Sequence, residues 1–136
     1  MSGYAAPGGT LVLDSEGLAK AVLRDRTVTG WLTLARADDM RVITSAATLV
    51  EVIHPRIKYP ALEWTLSRLV VEPVTEPLAR HAAALLAATK LHGHKYAIDA
   101  MLAATAVAAN SPVTVLTSDP DDLTALCGDH ATIIKI

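Results

Sequence analysis

Phenylalanine is absent from this chain, aromatic residues make up only 4% of it, and cysteine occurs once. Without Phe, the core must be assembled from Ala, Val, Leu and Ile. The single thiol, Cys127, can neither close an internal disulfide nor anchor a thiolate metal site, which fits a reducing compartment. A marked excess of charge of either sign is missing too. Twelve Lys and Arg against 14 Asp and Glu leave a formal net charge of -2, so no global basic field gathers nucleic acid and any polyanion must bind through a local patch. Residues Met1 to Gly9 lack the positive region and apolar run of a secretion signal and read as a short flexible leader. The longest uncharged stretch, Ala100 to Ser118, is broken by Asn110-Ser111-Pro112, which makes it a helix followed by a strand and not a membrane span. These absences together point to a cytoplasmic protein.

What is present suits one globular domain over residues 10–136. The chain has 136 residues, 51% of them hydrophobic and 19% charged, enough to bury one sizeable core. Thr10 to Leu13 reads as a short buried strand, followed by helices through Ala19 to Leu23 and from Val28 to Ala37. Arg41 to Ile43 is the next expected strand, and Thr44 to Ile53 a helix ended by Pro55. Pro60 opens a helix over Ala61 to Leu69, whose Leu62, Leu66 and Leu69 share one face. That stripe, with Trp64 beside it, suits core or a dimer face. A strand is expected over Val70 to Val74, a helix from Thr75 that runs out near Gly93, and another from Ala97 to Ala109. Val113 to Leu116, Asp119 to Leu126 and Ala131 to Ile136 complete the series as strand, short helix and strand. Such alternation predicts an α/β fold, a three-layer α/β/α sandwich around a mostly parallel sheet, with a helical excursion in the middle of the chain where helices outnumber strands.

Four acids stand where solvation alone explains them poorly. Asp14 closes the apolar run Leu11-Val12-Leu13, and Asp119 follows the strand Val113 to Leu116. Ligands of open α/β sheets gather outside the carboxyl ends of the strands, so both aspartates belong on one rim. Each is also placed to cap a helix, Asp119 within the signature Asp119-Pro120-Asp121-Asp122. Asp99 interrupts a helix whose only other polar residue is Thr105. A carboxylate buried there is costly unless it coordinates something or caps the first turn. Glu51 is weak alone, because Thr44, Thr48 and Glu51 form a polar stripe of the kind that faces water. If the four converge, the simplest compensating partner is a divalent cation.

Other constellations fail. His92-Gly93-His94 has no further His or Cys to complete a zinc site, and no glycine-rich phosphate loop or nucleophile elbow is present. Lys90, His92, His94 and Lys95 precede the Asp99 helix, where His94 and Lys95 are placed to neutralise a phosphate. Arg24 and Arg26 follow the first helix. Scattered solvated charge explains both groups as well. Trp31 and Trp64 read as core or interface anchors.

Taken in order, Leu11-Val12-Leu13-Asp14-Ser15, Thr48-Leu49-Val50-Glu51-Val52, Ile98-Asp99-Ala100-Met101-Leu102-Ala103-Ala104-Thr105-Ala106 and Leu116-Thr117-Ser118-Asp119-Pro120-Asp121-Asp122-Leu123 resemble the PIN-domain ribonucleases, most closely the VapC-like toxins of bacterial toxin–antitoxin pairs. The resemblance spans the chain after the leader. It implies Mg2+- or Mn2+-dependent hydrolysis of RNA, with Asp14, Glu51, Asp99 and Asp119 as the acidic cluster. Asp14, Asp99 and Asp119 would hold metal, with Thr117 and Asp122 in support. It also implies a small antitoxin that masks the acidic groove, and a homodimer. The chain departs from common members in Leu123, where Phe is frequent, and in Glu16, which adds charge beside the first acid. A non-catalytic PIN-like module that uses the same groove for a protein partner is the alternative.

Overall fold

The computed structural model describes residues 8–91 and 93–136; His92 and most of the leader therefore lie outside the described residues. Five strands form one sheet: β1 (Thr10–Leu13), β2 (Arg41–Ser45), β3 (Val70–Glu72), β4 (Val113–Thr117) and β5 (Thr132–Lys135). Their order is β3-β2-β1-β4-β5, and every pairing is parallel. The helices are α1 (Ser15–Val22), α2 (Arg26–Ala37), α3 (Leu49–Val52), α4 (Tyr59–Leu66), α5 (Glu76–Thr89), α6 (Gly93–Val107) and α7 (Pro120–Cys127).

Side chains alternate across each strand, and this alternation builds the layers. Val12, Ile43, Val113 and Val115 join the buried cluster under α5, α6 and α7, while Leu11, Leu13 and Leu116 join the other cluster, under α1, α2 and α4. A sheet covered on both faces reads as continuous apolar runs, as Leu11-Val12-Leu13 does. Leu62 is fully buried in the second cluster, with Leu66 and Leu69 packed against it, so the leucine stripe of α4 is core. Trp31 packs there as well. Trp64 remains 53% exposed, with the guanidinium groups of Arg24 and Arg68 at 5.1 and 5.5 Å from its ring centroid. Among the described residues, no helix is long and apolar enough to cross a membrane.

Gly8 and Gly9 are tied to the sheet by backbone bonds, Gly8 N–H to Asp39 and Arg41 N–H to Gly9. Gly9 has φ 87°, and a Cβ there would meet the Pro112 carbonyl oxygen at 2.1 Å. Only glycine suits that position.

Two expectations from sequence need correction. Thr44 does not start a helix: β2 runs through Ser45, a 3-10 turn covers Ala46–Thr48, and α3 has only four residues. Hydroxyl chemistry explains this. The Thr44 hydroxyl donates to the Leu13 carbonyl at 2.7 Å, the Thr48 hydroxyl to the Ser45 carbonyl at 2.7 Å, and the Ser45 hydroxyl accepts the Ala47 N–H at 3.1 Å. Such local bonds compete with a regular helix. Thr44 and Thr48 are buried and do not form a solvated stripe. Gly93 likewise does not end a helix. Helix α5 stops at Thr89, where Lys90 turns left-handed (φ 61°), and Gly93 begins α6.

Candidate metal centre

The chain leaves β1 for α1 on one face of the sheet and enters β4 from α6 on the other. β1 and β4 are therefore neighbours that diverge, the topological switch point at which open α/β sheets hold their ligands. Pairing of Leu13 with Leu116 sets the two carboxyl ends side by side. Asp14 and Asp119 follow these ends.

Asp14 is only 5% exposed. It caps α1, its Oδ1 accepting the Gly17 N–H at 2.7 Å. Gly17 allows that approach, because a Cβ there would lie 3.4 Å from the same oxygen and 3.3 Å from the Leu116 carbonyl. Capping and a place in the site thus coincide. Burial pushes the Asp14 carboxyl up from its ordinary value, against the pull of hydrogen bonds from Thr117, Gly17 and Ser118. The Glu16 charge adds to the rise.

Asp119 stands at the cap position of α7 but makes no capping bond with its side chain, so its carboxylate is left for other partners. Its backbone N–H donates to the Thr117 hydroxyl at 2.9 Å. Asp122 sits in the first turn of α7, one turn beyond Asp119 and half-buried.

Because α6 begins at Gly93, Asp99 lies past the first turn and caps nothing. Its side chain is half-buried at the rim. Burial first, then repulsion from Asp14, Asp119, Glu51 and Asp122, pushes its carboxyl up to about 6. Like charges nearby raise a carboxyl pKa, so Asp14, Asp119, Glu51 and Asp122 all act on Asp99 electrostatically.

The tightest grouping is Asp99, Asp119 and Asp122, with one carboxylate oxygen from each within 4.8 Å of the others. Asp14 was expected in that set; it adjoins the group electrostatically from its buried place, while Asp122 supplies the third close oxygen. A set of carboxylate oxygens, without His or Cys, fits a hard divalent cation of the Mg2+ or Mn2+ kind.

Glu51 is exposed on α3 and accepts a hydrogen bond from the Ser15 hydroxyl. Sequence reading overlooked Ser15 in this role. Its place directly after a strand-end acid was a signal, but its partner is 36 residues away. His94 and Lys95 are exposed in the first turn of α6. The Lys95 ammonium sits 5.2 Å from the Tyr96 ring centroid.

A family model for the PIN domain matches residues 11–128. The chain belongs to the PIN domain family. Its fold is similar to crystal structures of VapBC2 from Rickettsia felis bound to a DNA fragment from their promoter (TM-score 0.70, 16% identity, covering 93% of this chain and 98% of that one). It is similar as well to FitAcB from Neisseria gonorrhoeae (0.63, 22%, 91% and 96%). A third is DNA-bound VapBC from Salmonella typhimurium (0.61, 19%, 93% and 97%). No curated protein sequence matches. The PIN fold agrees with the α/β/α sandwich expected from sequence, with a sheet that is parallel throughout.

Proposed function

We propose that this PIN domain is a metal-dependent endoribonuclease that hydrolyses RNA phosphodiester bonds and is restrained by a small antitoxin protein. One observation carries the reading: three carboxylate oxygens within 4.8 Å at the switch point of a PIN fold, where Asp99 is pushed up to about 6 by burial and its acidic neighbours. A site of that charge is strained until a cation arrives.

Asp99, Asp119 and Asp122 would hold Mg2+ or Mn2+. When bound, such a cation supplies charge stabilisation at the phosphoryl group and a more acidic water. The chain's own residues provide the rest. Asp14 is held by the Gly17 and Ser118 N–H groups and the Thr117 hydroxyl, which orient its carboxylate. Thr117 also tethers the Asp119 backbone, which sets the spacing between the two strand-end acids. Ser15 holds Glu51 toward the start of α1, the place from which Glu51 can orient a water or a ribose hydroxyl. Fixed groups of this kind lower the reorganisation needed in the transition state.

The partner half of the reading is supported by the relatives, which are two-component VapBC and FitAB assemblies. Self-association into a homodimer belongs to the same reading. The test is purified protein with Mn2+ or Mg2+ against single-stranded RNA and DNA of matched sequence. RNA alone should be cut, EDTA should stop the reaction, and Asp99→Asn should lower the rate at least 100-fold, in the range of lost transition-state charge stabilisation. Undiminished cleavage by Asp99→Asn would overturn the mechanism. Cation binding without any cleavage would favour the non-catalytic PIN-like module.

A further inference from the structure

We propose that the cavity between α1, α3 and the turn leading into α4 is a subsite for a single unpaired nucleotide of the substrate, beside the phosphate to be cut. This rests on the ribonuclease reading above. The cavity has a volume of about 240 Å³, and Ser15 and Glu51 are among its lining residues. It thus shares with the proposed site Glu51, whose charge acts on Asp99.

Its walls are largely apolar, formed by residues such as Val22, Val52, Ile57 and Ala61, and the Glu16 carboxylate joins Glu51 in the lining. His54, Arg56 and Lys58 line it as well. All three are exposed, and the ion pairs among the described residues, Arg41–Glu72 and Arg80–Glu76, do not involve them. The turn that presents them is held by its own bonds. The Arg56 N–H donates to His54 Nδ1 at 3.1 Å and the Ile57 N–H to the His54 carbonyl at 3.0 Å. With Nδ1 accepting, Nε2 is the ring nitrogen left to donate outward.

Apolar walls beneath a cationic lip match a flat base with a phosphate at its edge. Sequence-reading RNA sites take splayed, unstacked bases in this way. The volume falls just below the range of pockets for drug-sized ligands, so it admits one base and not a base pair. One turn of a partner α-helix, roughly 10 Å across and about 5.4 Å long, takes up more than this volume. A lone apolar side chain would leave Arg56 and Lys58 without anions. Single-stranded RNA is the occupant that meets both the apolar walls and these two cations.

Two measurements test the subsite. Binding of a short single-stranded oligoribonucleotide, compared in an Asp99→Asn background, should weaken about tenfold in Arg56→Ala/Lys58→Ala. The slope of log affinity on log salt should fall by about 1.4, as expected for two lost phosphate contacts on a single strand. In the otherwise unchanged chain, Ala61→Leu fills the slot. It should change which nucleotide adjoins the cut while leaving the Mg2+-induced rise in melting temperature intact. Unaltered affinity in the double variant, or an unaltered cleavage site in Ala61→Leu, overturns the proposal. If the wild-type chain cuts no RNA, the ribonuclease reading fails instead, a result the binding measurement does not depend on.

Discussion

The Thr117 hydroxyl accepts the backbone N–H of Asp119 at 2.9 Å and bonds the Asp14 carboxylate with its proton. One buried hydroxyl therefore sets the positions of two acids that are far apart in the chain. Thr117→Val keeps the shape and removes both bonds. It should cost about 1–3 kcal/mol, the penalty for unsatisfied buried groups, and lower cleavage, whereas Thr117→Ser should retain both properties. Urea denaturation midpoints and initial rates measure this; equal stability for Val and Ser variants would show that the hydroxyl does not organise the rim.

Metal-free stability should fall as pH rises. The Asp99 carboxyl lies at about 6 in the fold, above its ordinary 3.8, so the folded state holds a proton that the unfolded state has released. That stabilising contribution is complete below about 3.8 and is lost as pH rises through about 6. Asp14 is shifted in the same direction. Melting in EDTA should be higher at pH 5 than at pH 7.5, and Asp99→Asn should shrink the difference. Identical pH profiles for wild type and Asp99→Asn would contradict the shift.

Divalent metal should reverse this trend. Mg2+ or Mn2+ binds the ionised carboxylates, so its stabilisation should be large at pH 7.5 and small at pH 5.5, where protons compete for the same oxygens. Asp119→Asn and Asp122→Asn should each reduce the metal-induced rise in melting temperature. A rise independent of pH, or one insensitive to both substitutions, would place the cation elsewhere.

Ser15→Ala offers a contrast. Its bond to Glu51 is exposed, so stability should change by less than about 1 kcal/mol. Activity should nonetheless drop several-fold, because Glu51 loses its tether. Unchanged turnover would remove Glu51 positioning from the mechanism.

Leu123→Ala should be costly twice over. Leu123 is fully buried behind α7 in the cluster with Val115 and Leu126, and truncation there costs about 2–5 kcal/mol. Because the same helix carries Asp122, metal-induced stabilisation should weaken too. Urea melts with and without Mg2+ separate the two effects.

Much of the fold is legible along the chain. Apolar runs locate β1 and β4, and turn residues locate the breaks. The resemblance drawn from four short motifs is matched by the PIN family model. Less legible is the segment from Thr44 to Val52, where Ser and Thr hydroxyls redirect backbone bonding in ways periodicity does not register. The start of α6 at Gly93 was hidden as well, since glycine more often ends a helix. That shift matters, because it moves Asp99 past the capping turn.

Composition and pattern alone determined a parallel α/β sandwich with acids at two strand ends and one carboxylate lodged in an apolar helix. Only the tertiary structure decided which oxygens meet. Asp122 joins Asp99 and Asp119 within 4.8 Å, while Asp14 stands buried beside them. The reason is range. Helix and strand preferences act over a few residues, whereas the acidic rim exists because β1 pairs with β4 across about a hundred intervening positions, Thr10 lying against Val113.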